Sequence, residues 1–210
     1  MIKKIAVGMA VAAALAAGSA SAQWYMGANL GQSKTNYNAS QLSGDLRAVG
    51  ITATGAVSSS DIGLKAFAGY TFNENFALEG GYFNMGRPVT FNGTITAPTA
   101  ATFNGKAEGQ GVNLDAVGTL PLGQGFSLIG RLGAAYFQTK ATTTVTAGSL
   151  SSYGNATSNK FVPAYGVGAQ YDFSKTIAGR LEVQRFSKVG NSNTGSGDVD
   201  FYSAGIVYKF

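Results

Sequence analysis

From Trp24 onward the chain alternates apolar and polar residues in stretches that fit extended strands. Eight such stretches are predicted, over 24–33, 61–72, 76–87, 109–120, 126–139, 160–173, 177–188 and 200–210. Each is close to the about 9–11 residues that a tilted strand needs to cross a bilayer. Short turn-forming connections at 73–75, 121–125 and 174–176 alternate with long segments rich in Ser, Thr, Asn and Gly at 34–60, 88–108, 140–159 and 189–199. An even strand count with short turns on one side and long loops on the other is the asymmetry of an outer-membrane barrel. The expected fold is therefore all-β, an eight-stranded antiparallel up-and-down transmembrane β-barrel with both ends on the short-turn side.

The two faces of these strands differ sharply. One carries Leu30, Leu64, Leu78, Leu114, Leu132, Val167, Leu181 and Ile206, and meets no charge until Arg185. The other carries Lys65, Arg131 and Arg180 against Glu79, Asp115 and Glu182, with Asn29, Asn113, Gln170 and Gln184. A soluble barrel with an apolar interior would put those charges out in water. A balanced set of three cations and three anions suits instead a narrow lumen, where isolated burial is costly. A Lys or Arg facing lipid near the midplane would cost about 2–4 kcal/mol. Aromatic residues at strand ends add interfacial girdles: Trp24, Tyr70, Phe126, Tyr171, Tyr208 and Phe210 at the short-turn end, and Tyr82, Tyr136, Tyr165 and Tyr202 at the other. A final strand ending on Phe210 suits barrel closure and recognition by a barrel-assembly machinery.

The first residues place Lys3 and Lys4 before an apolar run, 5–17, and Ala20-Ser21-Ala22. This pattern predicts a signal peptide over 1–22, cleaved before Gln23, followed by one barrel domain over 23–210. The apolar run is too short to span a bilayer as a helix. Removal of the two leader lysines lowers the formal charge of +5, and no nucleic-acid footprint results. The chain has no Cys, so no disulfide supports the exported fold; a ladder closed on itself serves instead.

Arrangements that carry chemistry are sparse. With no His, the usual general base and commonest metal ligand are missing. Asp45, Glu108 and Asp198 fall in loops without close pairing, the many Ser residues sit in no nucleophile motif, and Gly166-Val167-Gly168 lies mid-strand rather than before a helix. The sequence thus predicts no enzyme, cofactor or metal site. The luminal charges read either as a gated path for water or small ions or as a plug of paired charges. A fatty ligand in the lumen is disfavoured by the same charges. The Thr-rich segments 90–102 and 141–146 have strand propensity, and read either as hairpins prolonged above the membrane toward a host or environmental ligand or as passive shields.

Several motifs in order carry a family resemblance: Trp24-Tyr25-x-Gly27-Ala28-x-Leu30-Gly31, Ala66-Phe67-x-Gly69-Tyr70, Leu78-Glu79-Gly80-Gly81-Tyr82, Arg131-Leu132-Gly133, Arg180-Leu181-Glu182-x-Gln184 and Val207-Tyr208-Lys209-Phe210. Together they resemble the transmembrane domain of the outer membrane protein A family, across the barrel but not the long loops. The resemblance implies a location in the bacterial outer membrane, a monomer, and a structural or surface-interaction role, with a narrow low-conductance pore as the alternative. It implies an interior carboxylate–arginine pair at Glu79 and Arg180. It places the family's second glutamate at Gln170 and its lysine near Val117, with Asp115 one inward step away, so half of that network is kept. It also implies that a peptidoglycan-binding domain would follow the barrel, which this sequence does not carry after Phe210.

Overall fold

The structure is a computed structural model that describes residues 24–36, 44, 47–48, 50–97, 99–191 and 195–210. The expected leader and Asp45 lie outside the described residues. Ten strands follow in order: β1 (Trp24–Thr35), β2 (Thr52–Ser58), β3 (Ser60–Asn73), β4 (Phe76–Asn84), β5 (Val89–Ala97), β6 (Ala101–Gly123), β7 (Phe126–Ala147), β8 (Leu150–Asp172), β9 (Ile177–Asn191) and β10 (Gly195–Lys209). Eight close a ring, β1-β3-β4-β6-β7-β8-β9-β10, in which β10 returns to β1 over Tyr25↔Lys209 to Thr35↔Val199. Every pairing is antiparallel, and closure leaves the ring no edge.

Side-chain chemistry closes the tight turns. Asn73 Oδ1 accepts from the backbone N–H of Asn75 (2.9 Å) and Phe76 (3.0 Å), which reverses β3 into β4. Ser174 Oγ accepts from Thr176 N (3.3 Å) and Ile177 N (3.0 Å) between β8 and β9. Between β6 and β7 the chain passes through Gly123, Gln124 and Gly125, all at positive φ, which two glycines out of three make easy.

At the opposite end the long connections are largely strand, which is the prolonged-hairpin alternative for 90–102 and 141–146 rather than that of shielding loops. Segment 140–159 is strand except for a tight reversal at 148–149, where Gly148 has φ +58°, so β7 and β8 run paired up to Ala147↔Leu150. Segment 88–108 is β5 and the upper part of β6, and 34–60 contributes β2 against β5. The third expected strand, 76–87, stops early as β4, at Asn84. There the Asn84 carboxamide accepts from Gly86 N (2.9 Å), Gly86 takes φ +64°, and Asp61 Oδ2 holds Arg87 N at 2.7 Å, turning the chain off the ladder. The last strand begins at Gly195 rather than Asp200, across a bulge between Gly197 and Val199.

Five strands, β2-β5-β6-β7-β8, therefore continue past the ring as an open sheet. Among the described residues β2 pairs only with β5, and β8 meets β9 only from Ala164 to Asp172. Both outer strands of this sheet thus present unpaired backbone. Pro163, with no N–H to give, sits immediately beyond the point where β9 leaves β8.

Candidate functional site

Alternation decides which residues enter the ring. Leu132, Leu181 and Ile206 stand 68%, 62% and 63% exposed on the outside, whereas Lys65 is 1% and Glu79 0% exposed inside. The apolar face of every strand in the ring points outward. All six expected luminal charges, Lys65, Glu79, Asp115, Arg131, Arg180 and Glu182, are buried in the interior.

They form one connected layer. Cross-strand pairing sets Glu79 of β4 directly opposite Asp115 of β6, two carboxylates that would repel unaided. Arg131 Nη1 donates to both, at 2.9 Å to Glu79 and 3.1 Å to Asp115, while its Nη2 donates to Glu182. Arg180 Nη1 donates to Glu79 at 2.7 Å and lies 3.7 Å from Glu182. Lys65 Nζ donates to Glu79 at 3.2 Å and to Gln184 at 3.1 Å, and Gln184 donates on to Asp115 at 3.0 Å. Asn29 donates to Glu182 at 2.8 Å, Asn113 to Asp115 at 2.8 Å, and Tyr25 to Glu79 at 3.3 Å.

The Glu79–Arg180 pair implied by resemblance is present, and Arg180 also donates to Gln170 at 3.2 and 3.1 Å. No lysine occupies Val117; Lys65 brings an ammonium to Glu79 from a different strand. Arg131 touches all three acids, which no single motif announced. Its position on β7, next to the β6 strand that carries Asp115, was the available signal.

Two apolar layers flank the charges. Toward the open sheet, Phe83, Met85, Phe137, Phe186 and Phe201 pack with small aliphatic neighbours, the rings of Phe83 and Phe186 4.7 Å apart and those of Phe83 and Phe137 5.1 Å apart. Toward the short turns lie Tyr25, Phe67, Ala77, Val117, Ile129, Ala178 and Val207. The Arg180 guanidinium stands over the Phe67 ring at 5.0 Å and the Tyr25 ring at 5.5 Å. Inward glycines make room for these rings. A Cβ on Gly69 would lie 2.2 Å from the Tyr25 ring, and one on Gly27 2.4 Å from that of Phe67. These apolar layers were not part of the expected lumen, although Phe67, Phe83, Phe137 and Phe201 share the parity of the charges.

Of the expected interface aromatics, Trp24 packs edge-on to Tyr70 (4.9 Å), Phe126 tilts against Tyr171 (4.5 Å), and Tyr208 meets Phe210 edge-on (5.2 Å). All stand at the short-turn end of their strands. At the other rim Arg185 and Asp200 pair through two bonds, 2.6 and 2.7 Å. Among the described residues no group of three or more His, Cys, Asp or Glu is placed to hold a metal ion.

An apolar outer wall around a polar, filled lumen defines a small eight-stranded integral barrel of the bacterial outer membrane. The model of the OmpA-like transmembrane domain matches residues 19–210, and the chain belongs to that family. Outer membrane protein A of Serratia marcescens is 30% identical over 218 residues, covering 100% of this chain and 56% of the relative. That of Yersinia pseudotuberculosis is 29% identical over 216 residues, with the same coverage. The chain thus spans about half the length of the curated relatives it matches. The crystal structure of Ail, the attachment invasion locus protein of Yersinia pestis, aligns with a TM-score of 0.48 and 16% identity over 90% of this chain and 99% of that one.

Proposed function

We propose that this barrel is a closed membrane base for a surface-interaction sheet, with an adhesin-like role. The observation that carries the reading is the open sheet β2-β5-β6-β7-β8, which prolongs the wall beyond the ring and ends in two strands whose outer sides have no partner among the described residues. Its upper parts are rich in Thr, Ser, Asn and Gly, and their backbone edges suit addition of a partner strand. The alternative, a narrow conducting path, is less well supported. A path would have to part the Arg131 and Arg180 ion pairs and then both aromatic layers. The reading assigns no catalytic group or cofactor. It takes the barrel as a monomer delivered by an assembly machinery that reads β10.

The test replaces residues 142–155 by Asn-Gly, which reconnects the paired Ala141 and Ala156. Cells displaying the shortened chain are expected to lose adhesion to cultured epithelial cells and immobilised matrix proteins, with equal amounts of barrel in the membrane. Undiminished adhesion would overturn the surface role. Planar-bilayer recording is expected to be silent; steady openings altered by Glu79→Ala would replace this reading with the pore.

A further inference from the structure

The outward faces of β4, β6, β7 and β8 change character row by row. Register aligns Tyr82, Val112, Tyr136 and Phe161 as one outward row. The next outward row is all carboxamide: Asn84, Gln110, Gln138 and Asn159. Three of these amides are linked, Gln110 donating to Gln138 (2.8 Å) and Gln138 to Asn159 (3.1 Å), while the Tyr82 hydroxyl donates to Gln110 (3.2 Å). The row above sets Glu108 beside Lys140, and the one above that carries Lys106. Arg87 reaches in from the end of β4, 3.5 Å from Glu108. Each row lies about 6–7 Å further along the strand.

Depth gives these rows their meaning. On β7 the outward apolar run from Phe126 to Tyr136 matches the about 9–11 residues that cross the hydrocarbon. The amide row at Gln138 is therefore the first beyond it, at the level of the headgroups, and the cations at Arg87, Lys106 and Lys140 stand one to two rows higher. A cleft of about 350 Å³ opens here, lined by Arg87, Glu108, Gln110, Gln138 and Lys140 beside Asp61. Its two carboxylates are already engaged. Asp61 accepts the backbone N–H of Ile62 (2.8 Å) and Arg87 (2.7 Å), and Glu108 accepts Lys106 at 2.8 Å. Lys140 has no ion pair within 4.0 Å among the described residues.

We propose that this outward cleft binds the phosphorylated sugar headgroup of an outer-leaflet glycolipid. Lys140 and Arg87 contact the phosphate, the carboxamide row bonds the sugar hydroxyls, and the acyl chains lie on the apolar rows below. Anionic headgroups attract such cations because the charges meet at the membrane surface, where screening by water is incomplete. The inference does not depend on the surface-interaction reading, since it concerns the lipid-facing wall.

Native mass spectrometry of the full folded chain in detergent tests it, with bisphosphorylated lipid A, the same lipid stripped of both phosphates, and inorganic phosphate as probes. The expected result is binding of the bisphosphorylated lipid, with an affinity at least about tenfold weaker in the combined Arg87→Gln, Lys106→Gln, Lys140→Gln chain. Lys160→Gln, on the inward parity of β8, is expected to bind as the parent does. Heat-dependent gel mobility reports whether each variant is folded. Should the combined chain fail to fold, Lys140→Gln alone is expected to weaken binding about fivefold. Equal binding of the phosphate-free lipid, no loss in the combined or single variant, or an equal loss in Lys160→Gln would each overturn the proposal. Competition by millimolar inorganic phosphate would also overturn it, by making the cleft a site for free anions.

Discussion

Arg131 is the side chain on which the luminal charges depend most. It alone touches Glu79, Asp115 and Glu182, and it separates two carboxylates that the β4–β6 register sets face to face. Arg180 reaches Glu79 closely but shares it with Lys65 and Arg131. Replacing Arg131 by Met should therefore cost about 3–5 kcal/mol, the scale for breaking a buried pair, and Arg180→Met distinctly less. Urea unfolding in lipid vesicles measures both; an equal or reversed order would show that Arg131 is not the hub. A double variant, Glu79→Gln with Lys65→Met, should lose less than the sum of its parts, because it removes one charge of each sign from a shared network. The parity of the sequence was enough to put all six charges on one face. It could not rank Arg131 over Arg180, because that ranking comes from which strands are neighbours across the ring. The same limit hid Gln184 and Asn29 as bridging groups: an amide on the polar face looks alike whether or not it has a charge to bond.

Strands β6, β7 and β8 are each about twice the length needed to cross the membrane, and their two halves do different things. The lower halves alternate apolar and polar residues because one side meets lipid and the other the lumen. The upper halves, such as Lys140 to Ala147, carry Thr on both faces, with Ala141, Val145 and Ala147 on one of them, since neither face meets hydrocarbon. Without a greasy face there is little alternation to read, so segments 140–159 and 88–108 read as long connections, and only the Thr content of 90–102 and 141–146 offered prolonged hairpins as one of two alternatives. Backbone pairing holds them, and their removal should leave the base unharmed. Replacement of 142–155 by Asn-Gly is expected to change the unfolding free energy of the ring by less than about 1 kcal/mol, since Ala141 and Ala156 already face one another in register. Gly148→Val is expected to fray the tip, because a β-branched residue resists φ +58°. Faster backbone amide exchange confined to residues next to the turn would register it, and fraying that spread below Gln138 would mean that the upper hairpin supports the ring.

Across the whole molecule, two gradients run along the barrel axis. Inside, the layers pass from aromatic to ionic to aromatic; outside, they pass from the short-turn aromatics through aliphatic rows to aromatics, amides and then charges. Under the proposed reading the inner sequence closes the barrel to solutes, because a rearrangement of the ion pairs alone leaves Phe83, Phe137 and Phe186 stacked above them and Tyr25 with Phe67 below. The outer sequence fixes the height at which the protein sits, and a charge moved along β7 reads that height directly. Arg at Leu132, 68% exposed between the girdles, should destabilise the barrel by about 2–4 kcal/mol, as expected near the bilayer midplane. Arg at Gln138, three outward rows higher, should cost about 0–1 kcal/mol, the interfacial value. Reversible urea unfolding in vesicles of a single phospholipid gives both numbers without any contribution from glycolipid. Equal costs at the two positions would move the hydrocarbon boundary above the amide row, and the cleft beside Lys140 would then face acyl chains instead of headgroups. A steep drop between Leu132 and Gln138 puts that boundary at Tyr136, where the aromatic row of the outer wall ends.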